Sequence, residues 1–279
     1  MIHIGYAKTA TTFLQKNFDE LNKISYLGVC YKKKNNHKYY DKWNYPFVAE
    51  LINQIIQPEF FSDFNKNSLN LLNRLIKKNK KKKETLLISY EHLSLTPSYG
   101  CAKKLKKIFP NAKILLVIRK QQDSIMSMYR DRGYFIRRVP EPFYRRMVSF
   151  NSLVNYLIKN YNDFGPSHRD LSWDGDFLRA IDSHLLISNF EKFFGKNNIH
   201  ILVYEEMVQN PDTFLKKLSS ILNCDCSKIK KNLEKERINK SYSLNHIKFL
   251  NYKDRLFSKV PLTKYLFFLK PIAKQIYKI

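Results

Sequence analysis

A lysine and three hydroxyl residues lie close together near the start of the chain. Lys8, Thr9, Thr11 and Thr12 stand in the stretch IHIGYAKTATTFLQ, residues 2–15. A lysine ammonium group, threonine hydroxyls and the free backbone N–H groups of a turn are donors that bind phosphate. The positive end of a helix dipole strengthens such a site. These residues therefore predict a phosphate site.

Two elements must position those donors. The apolar alternation in Ile2–Ile4, ended by Gly5, predicts a buried strand. Apolar residues at helical spacing predict an amphipathic helix that begins at Thr11. A strand, a tight turn and a helix N-terminus in this order direct several backbone N–H groups to one place, which an anion can occupy.

A glutamate and a histidine stand at the end of a second predicted strand. Glu91 and His92 lie just past the apolar run Leu86–Ser89. Open α/β sheets bind their ligands at this end of the strands. Each side chain is a candidate base that could take a proton from a hydroxyl group. The alternative interpretation of Glu91 is a carboxylate that caps the next helix.

An arginine ends a third apolar run. Arg119 follows Ile114–Ile118, and Ser127 lies on the next predicted helix, four residues after Asp123. A guanidinium group at the end of a strand can bind phosphate through two parallel hydrogen bonds, and residues four apart share a helix face. The alternatives are a surface salt bridge for Arg119 and an ordinary helix hydroxyl for Ser127.

Strand-like runs alternate with helical patterns along the chain. The runs are Ile2–Ile4, Leu86–Ser89, Ile114–Ile118 and Ile199–Tyr204. Strands separated by helices predict an α/β fold with a central parallel sheet and helices on both faces. We expect one domain, residues 1–279. Its tail, residues 253–279, mixes aromatic residues with lysines and is expected either to dock on the core or to lie on a membrane surface.

Two helix boundaries are marked by residues of known preference. The segment Asn210-Pro211-Asp212 predicts the start of the helix 213–222. Gly195 predicts the end of the helix 180–194. These boundaries support the helix assignments and carry no chemistry.

Two lysine-rich segments admit plain interpretations. The run KKNKKKK, residues 77–83, is interpreted as the solvated end of an amphipathic helix that precedes a strand. Residues 31–45 are basic and aromatic without clear periodicity. They are interpreted as a loop, either beside an active site or elsewhere on the surface.

The composition is strongly basic. The chain has 50 Lys and Arg residues against 24 Asp and Glu, a net charge of +26, and 44% hydrophobic residues, which suffice for a sizeable core. Such a charge favours acidic partners: a nucleotide, an anionic polysaccharide, nucleic acid or a membrane surface. Charge alone does not choose among them.

The cysteines, the length of the apolar runs and the first residues indicate where in the cell the protein is expected. Cys30, Cys101, Cys224 and Cys226 have no zinc-binding spacing and are expected to be buried or idle thiols. We find no stretch of about 18 consecutive apolar residues. The first residues predict a core strand and no signal peptide. We therefore expect a cytoplasmic protein that can also contact the inner face of the membrane.

The opening loop resembles the phosphosulfate-binding loop of the sulfotransferase family. That family's pattern is a strand, Gly-x-x-Lys-Thr-Gly-Thr-Thr and a helix; here it stands as Gly5-Tyr6-Ala7-Lys8-Thr9-Ala10-Thr11-Thr12. Ala10 replaces a glycine, which the loop accepts if the backbone φ of Ala10 is negative. A Walker A loop is disfavoured because only two residues separate Gly5 from Lys8 and Ala7 replaces its second glycine.

A second motif resembles the same family. Residues 114–129 are similar to its strand, arginine, short turn and helical serine. The resemblance implies that Arg119 and Ser127 bind the 3′-phosphate of 3′-phosphoadenosine 5′-phosphosulfate (PAPS). It also implies that the loop Lys8-Thr9-Ala10-Thr11-Thr12 binds the 5′-phosphate.

Two later segments extend the resemblance. Residues 201–222 are similar to the family's late strand and its glutamate-containing turn, which we interpret as architectural. Asn239, Lys240 and Ser241 stand where related proteins place a loop over the nucleotide. The resemblance implies that these three residues also contact it.

The resemblance implies a PAPS-dependent sulfotransferase with a P-loop-like, three-layer fold. Lys8 would stabilise charge on the transferring sulfuryl group. Glu91 or His92 would be the base, with Glu91 favoured because glycan sulfotransferases use a glutamate in about this place. The expected acceptor is a carbohydrate hydroxyl on a polysaccharide or glycolipid, and no metal is required. Six arginines could line a cleft for an acidic sugar or form a solvated face: Arg130, Arg132, Arg137, Arg138, Arg145 and Arg146.

Two rival functions remain open from the residues alone. A nucleotide-dependent kinase of the P-loop type predicts a Walker spacing and a metal-binding carboxylate, and we find neither. A basic nucleic-acid-binding protein agrees with the charge, but the sequence contains no recognition-module pattern, so a nucleic-acid partner is not expected.

Overall fold

The structure is a computed structural model that describes residues 1–6, 8–34, 38–57, 63–95, 98–132, 149–159, 178 and 181–235. Several predicted features lie outside these ranges: Asn239, Lys240, Ser241, Arg137, Arg138, Arg145, Arg146 and the tail 253–279. Within the described ranges no helix is both long and apolar enough to cross a bilayer.

Most of the described strands form one parallel sheet. The strands are β1 (Ile2–Gly5), β2 (Ile24–Tyr26), β3 (Val29–Lys34), β4 (Lys38–Trp43), β5 (Thr85–Tyr90), β6 (Ile114–Ile118) and β7 (Ile199–Val203). The parallel sheet has the order β2-β5-β1-β6-β7. All four predicted strands are therefore confirmed. The strand β2, three residues at the edge of this sheet, matches none of the predicted strand-like runs.

The interpretation of residues 31–45 as a loop is wrong for residues 31–34 and 38–43, which form strands. β3 and β4 pair antiparallel, with Val29 opposite Trp43 and Lys34 opposite Lys38. Lysine and asparagine have low β-propensity, so the local sequence does not indicate strands. Cross-strand pairing between β3 and β4 stabilises the extended conformation that neither segment favours alone.

Helices connect and cover the strands. The described helices are α1 (Thr11–Phe18), α2 (Pro46–Ile56), α3 (Lys66–Lys82), α4 (His92–Leu95), α5 (Ser98–Ile108), α6 (Gln121–Arg132), α7 (Phe150–Lys159), α8 (Ser183–Phe194), α9 (Tyr204–Gln209), α10 (Pro211–Leu222) and α11 (Ser227–Lys235). The Asn210 side chain accepts a hydrogen bond from the Thr213 N–H, and Gly195 ends α8 with a φ of 80°. Both predicted boundaries are confirmed.

Side chains alternate between two apolar layers. Ile2 and Ile4 of β1 pack into a cluster with α2, α5 and α8 on one face of the sheet. Leu115 and Val117 of β6 pack into a second cluster with α1, α10 and α11 on the other face. Successive residues of a strand point to opposite faces, so a strand covered on both sides is apolar throughout. The expected three-layer α/β fold is confirmed.

The cysteines are free thiols. Cys30, Cys101 and Cys226 are buried, and Cys224 is half-buried. This agrees with the expectation of buried or idle thiols. Burial raises the pKa of Cys101 to about 12, which keeps that thiol protonated.

The register of the sheet brings the predicted site segments to one edge. β1 lies between β5 and β6, with Ile4 opposite Tyr90 and Gly5 opposite Val117. All three strands run in the same direction, so their carboxyl ends are neighbours. The loop after β1, Glu91 after β5 and Arg119 after β6 therefore lie side by side.

Candidate active site

The loop between β1 and α1 has an unusual backbone. Lys8 and Ala10 have φ angles of 67° and 59°, while Thr9 between them keeps a negative φ. Left-handed residues in a tight turn can direct neighbouring backbone N–H groups into one concavity, which suits an anion. The expected negative φ at Ala10 is not found, so this prediction is wrong. The loop instead holds an alanine in the left-handed region, at a cost of about 1 kcal/mol.

Gly5 permits the close contact between β1 and α1. A Cβ atom at this position would lie 2.6 Å from Thr11 Oγ1 and closer still to its methyl group. Thr11 is buried and its hydroxyl is hydrogen-bonded, so it cannot move aside. Any side chain at position 5 would therefore push the loop away from the strand.

Two of the three loop hydroxyls hold the loop itself. Thr9 and Thr11 each donate from Oγ1 to the carbonyl oxygen of Tyr6, at 2.8 and 2.9 Å. Both side chains are buried, at 1% and 3% exposure. The prediction that all three threonine hydroxyls donate to the phosphate is therefore corrected. In this conformation the hydroxyls of Thr9 and Thr11 donate to Tyr6 instead. The Thr12 side chain is half-buried and makes no such bond to Tyr6.

Tyr6 contributes its backbone and an uncharged ring. Burial, and secondly the charge of Asp182, raise the pKa of Tyr6 well above its usual range. Its hydroxyl is buried. Tyr6 therefore stays protonated at neutral pH, and its carbonyl oxygen organises the loop.

Arg119 joins the loop to the end of β6. Its Nη1 donates to the carbonyl oxygen of Lys8 at 2.9 Å, and its guanidinium carbon lies 4.5 Å from the centroid of the Tyr204 ring. The buried Nε of Arg119 has no hydrogen-bond partner among the described residues. The structure thus brings the two predicted phosphate-binding segments together, and it leaves one buried donor for an acceptor such as phosphate.

Glu205 fixes the turn before α6. Its Oε1 accepts a hydrogen bond from the backbone N–H of Lys120 at 3.0 Å. The other carboxylate oxygen is buried without a partner among the described residues. The turn between Arg119 and α6 is thereby anchored to the crossover after β7, which agrees with the architectural role expected for residues 201–222.

Glu91 and His92 stand at the end of β5, as predicted. The Ser94 hydroxyl lies 2.7 Å from the carbonyl oxygen of Gly5 and 2.8 Å from that of Glu91, so it ties this turn to the phosphate loop. His92 begins α4, and its ring is stacked on Tyr90 with centroids 5.0 Å apart. Nothing local in the sequence marks Ser94 as the residue that joins the two segments.

The remaining predicted residues lie on α6. Ser127 is half-buried, two turns beyond Arg119. Arg130 is also half-buried, and its Nε is buried without a partner among the described residues. Arg132 belongs to the last turn of the helix.

A family profile described as a sulfotransferase domain matches residues 1–265 of the chain. The chain belongs to the sulfotransferase family. It is a PAPS-dependent sulfotransferase by class. A comparison with curated proteins finds no match.

Three solved structures resemble this sulfotransferase weakly. A sulfotransferase from Alicyclobacillus acidocaldarius is 17% identical, with a TM-score of 0.48 and 80% of each chain covered. Mouse sulfotransferase SULT7A1, solved with PAP, is 15% identical, with a TM-score of 0.44, 84% of this chain and 62% of that chain covered. Sulfotransferase STF9 from Mycobacterium avium is 11% identical, with a TM-score of 0.47; the match covers 92% of this chain and 76% of that chain.

The site of this sulfotransferase fits a ligand with two separate phosphate groups. The left-handed backbone at Lys8 and Ala10 suits one anion, and the buried Nε of Arg119, which has no partner among the described residues, suits a second. PAPS carries phosphates at the 5′ and 3′ positions of its ribose. In the described part of the chain, no group of three or more His, Cys, Asp or Glu residues is arranged to hold a metal ion.

Proposed function

We propose that this sulfotransferase transfers the sulfuryl group of PAPS to a hydroxyl group of a carbohydrate. The hydrogen bond from Arg119 to the Lys8 carbonyl carries the proposal, because it unites two segments predicted separately to bind phosphate. The net charge of +26 supports an acidic ligand and an acidic acceptor.

The proposed binding roles rest on the family resemblance and, for Lys8, Thr9, Ala10 and Arg119, on the contacts described above. The backbone N–H groups of Lys8, Thr9 and Ala10, with the N-terminus of α1, bind the 5′-phosphate. Arg119 and Ser127 bind the 3′-phosphate, which a guanidinium group can hold through two hydrogen bonds. Asn239, Lys240 and Ser241 are proposed to contact the nucleotide as well.

Lys8 and Glu91 carry the chemistry. PAPS supplies the sulfuryl group, whose bond from sulfur to the 5′-phosphate oxygen breaks as the acceptor oxygen bonds to sulfur. Lys8 neutralises the charge that develops on the oxygen that leaves. Glu91 takes the proton of the attacking hydroxyl, so that the products are a sulfate ester and adenosine 3′,5′-bisphosphate.

Glu91 is preferred to His92 as the base. The His92 ring is stacked face to face on Tyr90, which gives it a packing role. Glu91 belongs to the turn that Ser94 holds against the Gly5 carbonyl, next to the phosphate loop. A carboxylate in that place lies beside both the donor and the incoming hydroxyl.

Thermal unfolding with added nucleotides tests the proposed function. Adenosine 3′,5′-bisphosphate should raise the melting temperature of the whole chain in the presence of EDTA, since a ligand that binds only the folded state stabilises it. ATP with magnesium is the matched ligand for a kinase, and a duplex oligonucleotide is the one for a nucleic-acid-binding protein. Stabilisation by either of these, with none by the bisphosphate, would overturn the proposal.

A further inference from the structure

The outer face of helix α3 is strongly cationic. The helix, Lys66–Lys82, contains no acidic residue. Its C-terminal half and its C-cap carry a set of exposed basic side chains, which we call the cationic face: Arg74, Lys77, Lys78, Lys80, Lys81, Lys82 and Lys83. Among the described residues, the carboxylate within ion-pair distance of this face is that of Glu84, 3.9 Å from Lys82. One carboxylate leaves most of the charge uncompensated.

The opposite side of α3 is fixed to the protein core. Leu72 is buried, and Leu75 and Ile76 pack against the apolar cluster that α2 and α5 form with the sheet. Near the end of the helix the buried Asn79 donates from Nδ2 to Ser25 Oγ at 3.1 Å. Because these contacts fix the rotation of the helix about its axis, the cationic face stays in solvent.

The charges on this face repel one another. Three like-charged pairs stand four residues apart: Arg74 and Lys78, Lys77 and Lys81, and Lys78 and Lys82. Such residues are neighbours on a helix surface, and like charges there destabilise the helix. The helix dipole favours cations in the last turn, but Arg74 lies more than a turn earlier. A layer of anions in front of the face would relieve this repulsion.

An exposed leucine lies in line with the cations. Leu71 is 43% exposed. It is followed at three- and four-residue spacing by Arg74, Lys78 and Lys82, so these side chains form one stripe along the helix. On a lipid surface, basic side chains contact the anionic headgroups and an apolar one enters the boundary of the acyl chains. A soluble polyanion offers no apolar phase to Leu71, so the stripe favours a lipid surface.

We propose that the cationic face of α3, together with Leu71, docks on an anionic lipid surface. This interaction goes beyond the proposed function and does not depend on it. Clusters of about four to eight basic residues on one amphipathic helix are typical of binding to acidic lipids. The cationic end of α3 leads into the start of β5, whereas the phosphate loop lies at the carboxyl ends of the strands. Docking therefore leaves the donor site accessible.

Sedimentation with lipid vesicles measures the docking. The full chain is mixed with vesicles of phosphatidylcholine and phosphatidylglycerol in equal parts, and with vesicles of phosphatidylcholine alone. We expect saturable binding to the mixed vesicles that weakens as salt is added, because salt screens exposed charges, and little binding to the neutral ones. Equal binding to both kinds of vesicle, or no binding to the mixed ones, would overturn the proposal.

Two variants of equal charge locate the binding surface. K77Q/K78Q/K81Q/K82Q should weaken binding to the mixed vesicles about a hundredfold. K216Q/K217Q/K228Q/K231Q removes the same charge from exposed positions of α10 and α11, which cover the other face of the sheet, and should weaken binding less than about threefold. Equal losses in the two variants would assign binding to the total charge of the protein and overturn the proposal.

A second pair of variants tests the apolar contact at constant charge. Leu71→Gln should weaken binding to the mixed vesicles about fivefold, because the leucine side chain no longer enters the lipid boundary. Ile158→Gln, at a residue 62% exposed on α7, should leave binding unchanged. Tight binding of hyaluronan or a duplex oligonucleotide to the cationic face, without binding to vesicles, would assign the face to a soluble polyanion and overturn the proposal.

Thermal unfolding separates this proposal from the proposed function. Both quadruple variants should be stabilised by adenosine 3′,5′-bisphosphate as the wild type is, since α3 lies outside the donor site. Loss of vesicle binding with the bisphosphate effect retained concerns α3 alone, and absence of the bisphosphate effect in the wild type overturns the proposed function alone. If K77Q/K78Q/K81Q/K82Q does not fold, the pair K77Q/K81Q decides, with an expected loss of about tenfold.

Discussion

The Nη1 atom of Arg119 donates a 2.9 Å hydrogen bond to the carbonyl oxygen of Lys8. The two residues stand 111 positions apart in the chain, and the bond joins the end of β6 to the loop after β1. The same guanidinium group lies over Tyr204, at the end of β7. Three crossovers of the parallel sheet thus meet at Arg119.

The choice of base predicts opposite effects for two neighbouring residues. Glu91→Gln removes the proton acceptor and should lower kcat by at least about a hundredfold, with the affinity for the bisphosphate unchanged. His92→Ala should keep kcat within about threefold, because the His92 ring is stacked on Tyr90 and has a packing role. Transfer from radiolabelled PAPS to the best acceptor oligosaccharide measures both. A loss of kcat confined to His92→Ala would assign the base to His92.

Gly5→Ala should disrupt the phosphate loop. The new methyl group would clash with Thr11, which is buried and bonded to Tyr6, so the first turn of α1 must shift. Overpacking of this kind lowers the free energy of unfolding by about 1–3 kcal/mol. Urea unfolding measures this loss, and calorimetry should show bisphosphate binding weakened at least about tenfold. Unchanged stability and binding would show that β1 and α1 do not approach as described.

Ala10→Gly should stabilise the protein. The left-handed conformation of Ala10 is strained, and glycine relieves that strain; against the added entropy of the unfolded chain, a net gain of about 0.5 kcal/mol is expected. Ala49→Gly makes the same chemical change inside α2 and should cost about 1 kcal/mol. Urea unfolding measures the change in unfolding free energy for each variant, which should be a gain for Ala10→Gly and a loss for Ala49→Gly. Equal losses in both variants would contradict a left-handed Ala10.

His3 should make the fold sensitive to acid. The side chain is fully buried in β1 with Nδ1 2.7 Å from Ser89 Oγ, and burial lowers its pKa from 6.5 to about 3. Below pH 6.5 the unfolded chain binds a proton at this residue that the folded protein excludes. The contribution of His3 to stability is therefore complete above pH 6.5 and decreases as the pH falls toward 3.

The His3 effect is measured as the slope of stability against pH. Between pH 6 and pH 4, this residue alone contributes about 1.4 kcal/mol per pH unit to the loss of the unfolding free energy. His3→Leu should remove that part of the slope even if it lowers stability overall. His184→Leu, on the exposed surface of α8, should leave the slope close to that of the wild type. Parallel curves for wild type and His3→Leu would refute the buried, neutral histidine.

The central strands were predictable and the hairpin was not. Ile2–Gly5 and Ile114–Ile118 are apolar throughout because both faces of a central parallel strand are covered, and this pattern is visible in the sequence alone. β3 and β4 are held by each other and by their contact with the end of β5, so no local periodicity marks their lysine-rich sequence.

The site was predictable in its residues and not in its internal contacts. The positions of Lys8, Glu91 and Arg119 at strand ends follow from apolar runs that stop there. The inward hydrogen bonds of Thr9 and Thr11 depend on where the Tyr6 carbonyl points, which a residue pattern does not encode. The positive φ of Ala10 likewise follows from closing the loop, and a rule based on residue type predicts the opposite.

The most direct test of the account compares two nucleotides on two proteins by isothermal titration calorimetry in EDTA. Adenosine 3′,5′-bisphosphate and adenosine 5′-monophosphate differ only in the 3′-phosphate assigned to Arg119 and Ser127. Wild type should prefer the bisphosphate by at least about tenfold, Arg119→Ala should lose most of that preference, and Arg74→Ala on the exposed face of α3 should keep it. An equal preference in wild type and Arg119→Ala, or no bisphosphate binding by wild type, would contradict the account.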